Sequence, residues 1–223
     1  GHGDNVVRIT EPARCADVWA VRKAGLGLFG SVKGDAKPVA FVEDTAVAPE
    51  QLPAFTAEFR ELLERHGVRA AFYGHASVGC LHIRPMLDLR TADGVTKYRA
   101  VAEEVTELAL KYGGTHSGEH GEGLARSEFN PKVFRETLYA AFREVKAAFD
   151  PDGRMTPGKK VDAPPMDENL RYGADYTTAF PVPLLDYSDV GTMADAIEMC
   201  NGNARCRKSE VGTMCPSYMV TLD

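Results

Sequence analysis

The sequence predicts an α+β fold, an antiparallel ferredoxin-like sheet with helices on one face, open to duplication and followed by an extended C-terminal tail. Three observations carry this. The β-rich runs come in pairs, 26–32 with 38–42 and 68–73 with 80–83, spaced too closely for a crossover helix. Between and after them lie single long stretches whose apolar residues recur at three and four. Beyond Lys160 that periodicity stops, broken by Pro164, Pro165, Pro181 and Pro183. The 223 residues suit one good-sized domain and an appendage.

In chain order, 11–24 reads as a helix, and 26–32 and 38–42 as strands joined at Lys33-Gly34-Asp35. From Pro49 to His66, Leu52, Phe55, Phe59, Leu62 and Leu63 stripe a helix closed by Gly67. Val68 to Tyr73 and Cys80 to Ile83 are the next strands, the second ended by Pro85. Val95, Tyr98, Val101, Val105, Leu108 and Tyr112 mark another helix, stopped at Gly113-Gly114. A third starts at Asn130 with Pro131 in its first turn, and Phe134, Leu138, Phe142, Val145 and Phe149 form its predicted buried face. Residues 4–160 are thus expected to form the main domain, 161–192 an extended linker and 193–223 a separate cysteine-bearing segment.

Apolar residues are 44% and charged residues 26%, and no apolar run approaches the roughly 18 residues of a membrane span. Against 26 Lys and Arg stand 32 Asp and Glu, a net charge of -6, so the basic surface of a nucleic-acid binder is missing. Five cysteines, an odd number, without a leader segment argue for a reducing compartment, and a cytoplasmic location is expected.

Four of the six histidines fall in two segments, Gly74-His75-Ala76-Ser77-Val78-Gly79-Cys80-Leu81-His82 and His116-Ser117-Gly118-Glu119-His120-Gly121-Glu122-Gly123. A hairpin turned near 77–79 lays His75 and His82 side by side on one face. Glu119, set among glycines, is the best third ligand, and two imidazoles with one carboxylate suit Zn²⁺, Mn²⁺, Co²⁺ or Fe²⁺ with positions left for substrate. Spacing alone leaves the alternative of two structural histidines and a flexible glycine loop.

These two strings and a third, Phe149-Asp150-Pro151-Asp152-Gly153-Arg154-Met155-Thr156-Pro157-Gly158-Lys159, stand in the order and at the approximate spacing of the C-terminal domain of FAD-linked oxidases. These are D-lactate, glycolate and D-2-hydroxyglutarate dehydrogenases of the vanillyl-alcohol oxidase type. The resemblance covers about residues 10–165. It implies a cap and substrate domain, a fragment whose FAD is bound mainly by a domain missing here and which is inactive alone. It also implies metal ligands His75, His82 and Glu119, and a catalytic His120 beside the reacting hydroxyl of a D-2-hydroxy acid. Arg22, in Trp19-Ala20-Val21-Arg22, resembles the family's substrate-binding arginine, and Arg84 offers a second guanidinium for a carboxylate. Thr156 and Gly158 fall in the cofactor-facing motif. Arg84 and Thr156 each stand where the family often has Asn.

Cys200-Asn201-Gly202-Asn203-Ala204-Arg205-Cys206 and Met214-Cys215-Pro216 resemble the opening of a [4Fe–4S] domain, of the kind one subgroup fuses behind this cap to pass electrons to a quinone or other acceptor. Asn203 and the count of three thiols depart from a full cluster motif. The competing reading is a non-catalytic, metal-binding ferredoxin-like regulatory module. A metallohydrolase with Glu122 as base lacks a second carboxylate ligand near the histidines.

Overall fold

A computed structural model of the protein describes residues 7–30, 32–179, 182–200, 207 and 220. Two compact units emerge, Asp35–Thr177, and Gly1–Gly34 with Thr178–Asp223. The larger holds β1 (Lys37–Pro38), β2 (Thr45–Ala46), α2 (Leu52–Arg65), β3 (Ala70–His75), β4 (Cys80–Leu87), α3 (Ala92–Lys111), α4 (Gly123–Arg126) and α5 (Asn130–Phe149). The smaller holds α1 (Pro12–Gly30) and α6 (Met193–Glu198).

β4 is the axis of one antiparallel four-stranded sheet. On one side it pairs with β3 from Ala70↔Pro85 to His75↔Cys80, and on the other with β1 at Lys37↔Leu87 and β2 at Thr45↔Leu81. Successive side chains of a strand point to opposite faces. Leu81, Ile83 and Leu87 therefore share one face, where Ile83 and Leu87 join Phe55, Phe59, Leu62 and Leu63 of α2 and Val101, Val105 and Leu108 of α3 in the core. Cys80, His82 and Arg84 take the opposite face. The α3 stripe lies as its periodicity predicts, and Thr91 caps its start by accepting the Gly94 N–H at 3.0 Å.

The α+β class stands. The order β-α-β-β-α of the larger unit leads only to an isolated antiparallel bridge, Ala46↔Thr115, where a ferredoxin-like sheet would place its fourth strand. Among the described residues there is no second copy of the motif.

Other elements differ from expectation for identifiable reasons. Residues 26–30 of the predicted strand 26–32 are the end of α1, because a lone apolar run satisfies its backbone groups within a helix and needs no neighbour. The predicted strand 38–42 pairs only at its start: Pro38 has no N–H to give, and Asp44, at φ 53°, turns the chain before β2. Pro85 does not end β4. Its carbonyl faces the β1 edge and accepts the Val39 N–H at 2.9 Å, so the missing donor falls on that interrupted edge and costs nothing toward β3.

α5 breaks at Arg135 (φ 60°, ψ 165°), which resets its phase. Tyr139 is buried in consequence, while Leu138, Val145 and Phe149 of the predicted inner stripe are exposed. Residues 161–177, expected as an extended linker, contain no helix or strand yet belong to the larger unit, with Met166 in its core and Asp167 paired to Arg99 at 2.5 Å. No helix among the described residues is long and apolar enough to cross a membrane.

Candidate functional site

The outward face of β4 and its partner β3 carry the first half of the site. Tyr73 sits directly opposite His82, and His75 opposite Cys80, so His75 and His82 are diagonal neighbours on one face. Their rings lie 5.1 Å apart and edge-on. The hairpin closes through a 3₁₀ turn, Ala76–Val78, and Gly79 at φ 71°. A Cβ on Gly79 would stand 1.7 Å from the Val47 carbonyl oxygen, so only glycine lets the turn rest on the neighbouring strand.

The second half is the loop 116–123, and its position is dictated from below by Asp44. This carboxylate is fully buried. Its Oδ2 accepts N–H bonds from Gly118 (3.1 Å), Glu119 (2.9 Å) and His120 (2.7 Å) and the Ser117 hydroxyl (3.0 Å). Its Oδ1 pairs with the buried Arg126 guanidinium. That guanidinium also donates to the carbonyls of Glu43, His116 (3.2 Å) and Gly121 (2.6 Å). Burial by itself would raise the Asp44 pKa, but the N–H groups of His120 and Glu119 and the Arg126 guanidinium outweigh it and hold it below the usual carboxylate range.

The two halves meet at one atom. Glu119 Oε1 lies 3.0 Å from His82 Nε2, 3.6 Å from His75 Nε2 and 3.4 Å from His120 Nε2. Ligands about 2.1 Å from a tetrahedral metal are roughly 3.4 Å from one another, so the first two separations already match a shared ion. The trio His75, His82 and Glu119 offers one ligand atom each within 4.8 Å of the others, and so does an overlapping trio, Glu43, His82 and His120. His82 is buried, whereas His75, Glu119 and His120 are about half exposed, so the cluster opens to solvent on their side.

Burial pushes the His82 pKa down, with the Glu119 charge opposing, which favours the neutral imidazole that a metal needs. Cys80 Sγ lies 3.8 Å from Glu119 Oε1. Burial and the negative charge of Glu119 raise its thiol to about 11, so it offers no thiolate to the cluster at neutral pH.

Arg84 joins the cluster through Glu43. Its guanidinium pairs with the Glu43 carboxylate, and Nε donates to the Tyr73 hydroxyl at 3.3 Å. Arg22 stands on α1 of the smaller unit. Thr156 and Gly158 occupy left-handed positions, φ 49° and 70°, in a turn tied by Asp150, which accepts the N–H groups of Arg154 (2.7 Å) and Met155 (2.9 Å). The third motif reaches the second through Lys160, which donates to Glu122 at 2.5 Å and whose N–H bonds Ser127 Oγ at 3.1 Å. Cys200 is exposed, and Cys206 and Cys215 lie outside the described residues. Glu43, Asp44 and Arg126 are the site residues that sequence reasoning missed. Their one signal was two adjacent carboxylates directly after the apolar run Val39 to Val42.

Residues 1–160 match the family described as FAD linked oxidases, C-terminal domain. The chain is 40% identical over 210 residues to D-2-hydroxyglutarate dehydrogenase of Escherichia coli (strain K12), covering 92% of this chain and 20% of that protein. It is 32% identical over 130 residues to D-lactate dehydrogenase of Archaeoglobus fulgidus, covering 58% of this chain and 28% of that one. With glycolate oxidase subunit GlcD of Bacillus subtilis (strain 168), 28% identity extends over 123 residues, 55% of this chain and 26% of the subunit. The chain therefore spans about a fifth of the length of the D-2-hydroxyglutarate dehydrogenases it matches, and that similarity continues past residue 160.

Proposed function

The chain belongs to the FAD linked oxidase C-terminal domain family, and from that premise we propose that it is the substrate domain of a flavin-dependent D-2-hydroxy-acid dehydrogenase acting on D-2-hydroxyglutarate. The observation that supports this reading is the meeting of His75 and His82 of one hairpin with Glu119 of a distant loop, and His120 beside them. Two imidazoles and a carboxylate leave coordination positions for a substrate's carboxylate and α-hydroxyl. A divalent metal held there would acidify the hydroxyl, and FAD, held mainly by a further domain, would accept the hydride from C2.

The chain's own residues do the rest. His75, His82 and Glu119 hold the ion. His120 Nε2, turned toward the same cluster, takes the hydroxyl proton. Arg84 and Arg22 are the guanidinium groups for carboxylates, and a five-carbon diacid has two to bind. Thr156 and Gly158 face the flavin. The tail, with Cys200, Cys206 and Cys215, contributes to a [4Fe–4S] electron outlet toward a quinone or another acceptor, a reading supported by similarity to the D-2-hydroxyglutarate dehydrogenases that runs beyond the family domain.

The test is anaerobic flavin reduction in the full-length protein. D-2-hydroxyglutarate is expected to bleach the flavin, the L-enantiomer to leave it oxidised, and a chelator to stop the reaction until metal is restored. An oxidised flavin with every D-2-hydroxy acid would overturn the reading.

A further inference from the structure

An imidazole can act as a base at Nε2 only when its proton resides on Nδ1. His120 presents Nε2 to the cluster, 3.4 Å from Glu119 Oε1, and its Nδ1 stands 3.1 Å from Glu43 Oε1. The ring is also stacked on His82, with centroids 5.1 Å apart and planes inclined by 9°. Stacking sets the plane of the ring, and Glu43 sets which edge faces inward.

Glu43 is itself fixed. Its side chain is largely buried, its second oxygen pairs with Arg84, and Arg84 is braced by Tyr73. Backbone geometry holds it as well, since Asp44 is clamped by Arg126, which also grips the Glu43 carbonyl. Glu43 is thus the meeting point of a carboxylate-anchoring arginine and the proposed base.

We infer that Glu43 is a positioning residue for His120, an inference that rests on the base assigned above. An ionised carboxylate only accepts hydrogen bonds. Its partner at 3.1 Å is therefore the Nδ1–H form, since the other tautomer would set two lone pairs against each other. The Nδ1 proton is held away from the reacting centre, and the Nε2 lone pair is aimed into it. When the substrate O–H bond breaks, its proton forms the N–H bond at Nε2 and Glu43 remains a carboxylate facing the imidazolium, while a bound flavin would accept the hydride from C2. Arg84 holds the opposite oxygen, so Glu43 faces His120 with one oxygen only.

Two measurements test this. In the 223-residue chain labelled with ¹⁵N, long-range ¹H–¹⁵N correlation is expected to show His120 as the Nδ1–H tautomer, and Glu43→Ala to shift it toward Nε2–H. Zinc affinity of Glu43→Ala is expected to stay within about twofold of wild type. In the full-length flavoprotein, Glu43→Ala is expected to lower kcat about 10- to 100-fold with little change in KM for D-2-hydroxyglutarate. Glu43→Gln, whose amide oxygen still accepts the Nδ1–H, recovers much of that loss and guards against misfolding of the alanine variant.

A fall in zinc affinity would make Glu43 a ligand and overturn the inference. A rise in KM matching that of Arg84→Ala would do the same, leaving Glu43 as a mere brace for the arginine. If His120→Ala reduces flavin at the wild-type rate, the base itself is wrong. If His120→Ala is slow while Glu43→Ala keeps the wild-type rate and tautomer, only the positioning role falls.

Discussion

The β3–β4 hairpin and the loop 116–123 deliver side chains to the same carboxylate oxygen of Glu119, yet they are held by different forces. His75 and His82 ride on a six-pair ladder whose other face is the hydrophobic core, so their placement is shared among many backbone bonds and apolar contacts. Glu119 and His120 ride on a glycine-rich loop held chiefly by one buried carboxylate, Asp44, and its guanidinium partner. Redundancy makes the hairpin a rigid platform, whereas the loop's geometry stands or falls with a single ion pair. The candidate base sits on the half with fewer supports.

Substitution on each half is the sharpest way to break this comparison. His120→Ala in the full-length enzyme is expected to retain metal and flavin while losing on the order of 10² to 10⁴ in the rate of flavin reduction. His75→Ala is expected to lose metal affinity and to regain activity in part with excess metal. Stopped-flow flavin reduction with and without added metal separates the two. Metal rescue of His120→Ala would place it among the ligands.

Removing Asp44 comes next in size. Asp44→Ala leaves Arg126 buried without its charge partner and the Ser117 hydroxyl and the Glu119 and His120 N–H groups without an acceptor, the Gly118 N–H keeping the residue-44 carbonyl at 2.7 Å, and it is expected to cost about 3 to 5 kcal/mol in urea unfolding. Ile83→Ala, on the inner face of β4, removes core contacts for a comparable cost of about 2 to 5 kcal/mol. The two differ in what the folded fraction still does. Ile83→Ala should bind zinc within about twofold of wild type, and Asp44→Ala should not. Equal zinc affinities would show that the loop is positioned by something other than Asp44.

The same contrast governs what could be read from the sequence. The hairpin was legible because its period of two, its glycines and its histidine spacing are all local, and register then follows from the turn. The α2 and α3 stripes were legible for the same reason. Asp44 was not, since its acceptor role depends on a loop 74 residues away that no local pattern announces. The α5 stripe misled because one residue, Arg135, breaks the helix and rotates everything after it. Glu119 became the preferred ligand through its glycine neighbours and the family resemblance, and its contact with His82 needed the fold.

Acid should loosen the loop half first. His116, at the root of the loop and almost fully buried, has its pKa pushed from 6.5 down to about 4 by burial, with the nearby Arg126 charge adding to the effect. The unfolded chain then binds a proton that the folded chain refuses. Stability is fully present above about pH 6.5 and drains away as pH falls toward 4, by about 3 kcal/mol in all. Asp44 contributes nothing to this window, because a lowered carboxylate keeps its stabilisation until the pH drops below the ordinary value of 3.8. His116→Gln is expected to flatten the stability profile between pH 6.5 and 4 in urea titrations. An unchanged slope would move the acid sensitivity to His82, whose pKa burial also lowers.

The smallest effect concerns a region outside both halves. Thr156 adopts φ 49° in the turn anchored by Asp150, a left-handed conformation that a β-branched residue enters at a cost. Nothing in the turn requires the threonine hydroxyl for a described hydrogen bond, while Asp150 and Lys146 hold the backbone just before it, at Arg154 and Met155. The strain is therefore imposed by the turn and borne by the side chain. Asparagine, whose flat, unbranched Cβ substituent tolerates this region, is expected to raise unfolding stability by about 0.5 to 1 kcal/mol in Thr156→Asn. Because the turn's side-chain link to the loop half runs through the Lys160–Glu122 pair, away from His75, His82 and Glu119, zinc binding at the cluster should not change. A loss of stability would mean that the threonine methyl packs usefully in the turn, and a loss of zinc affinity would extend the fragile half of the site as far as residue 156.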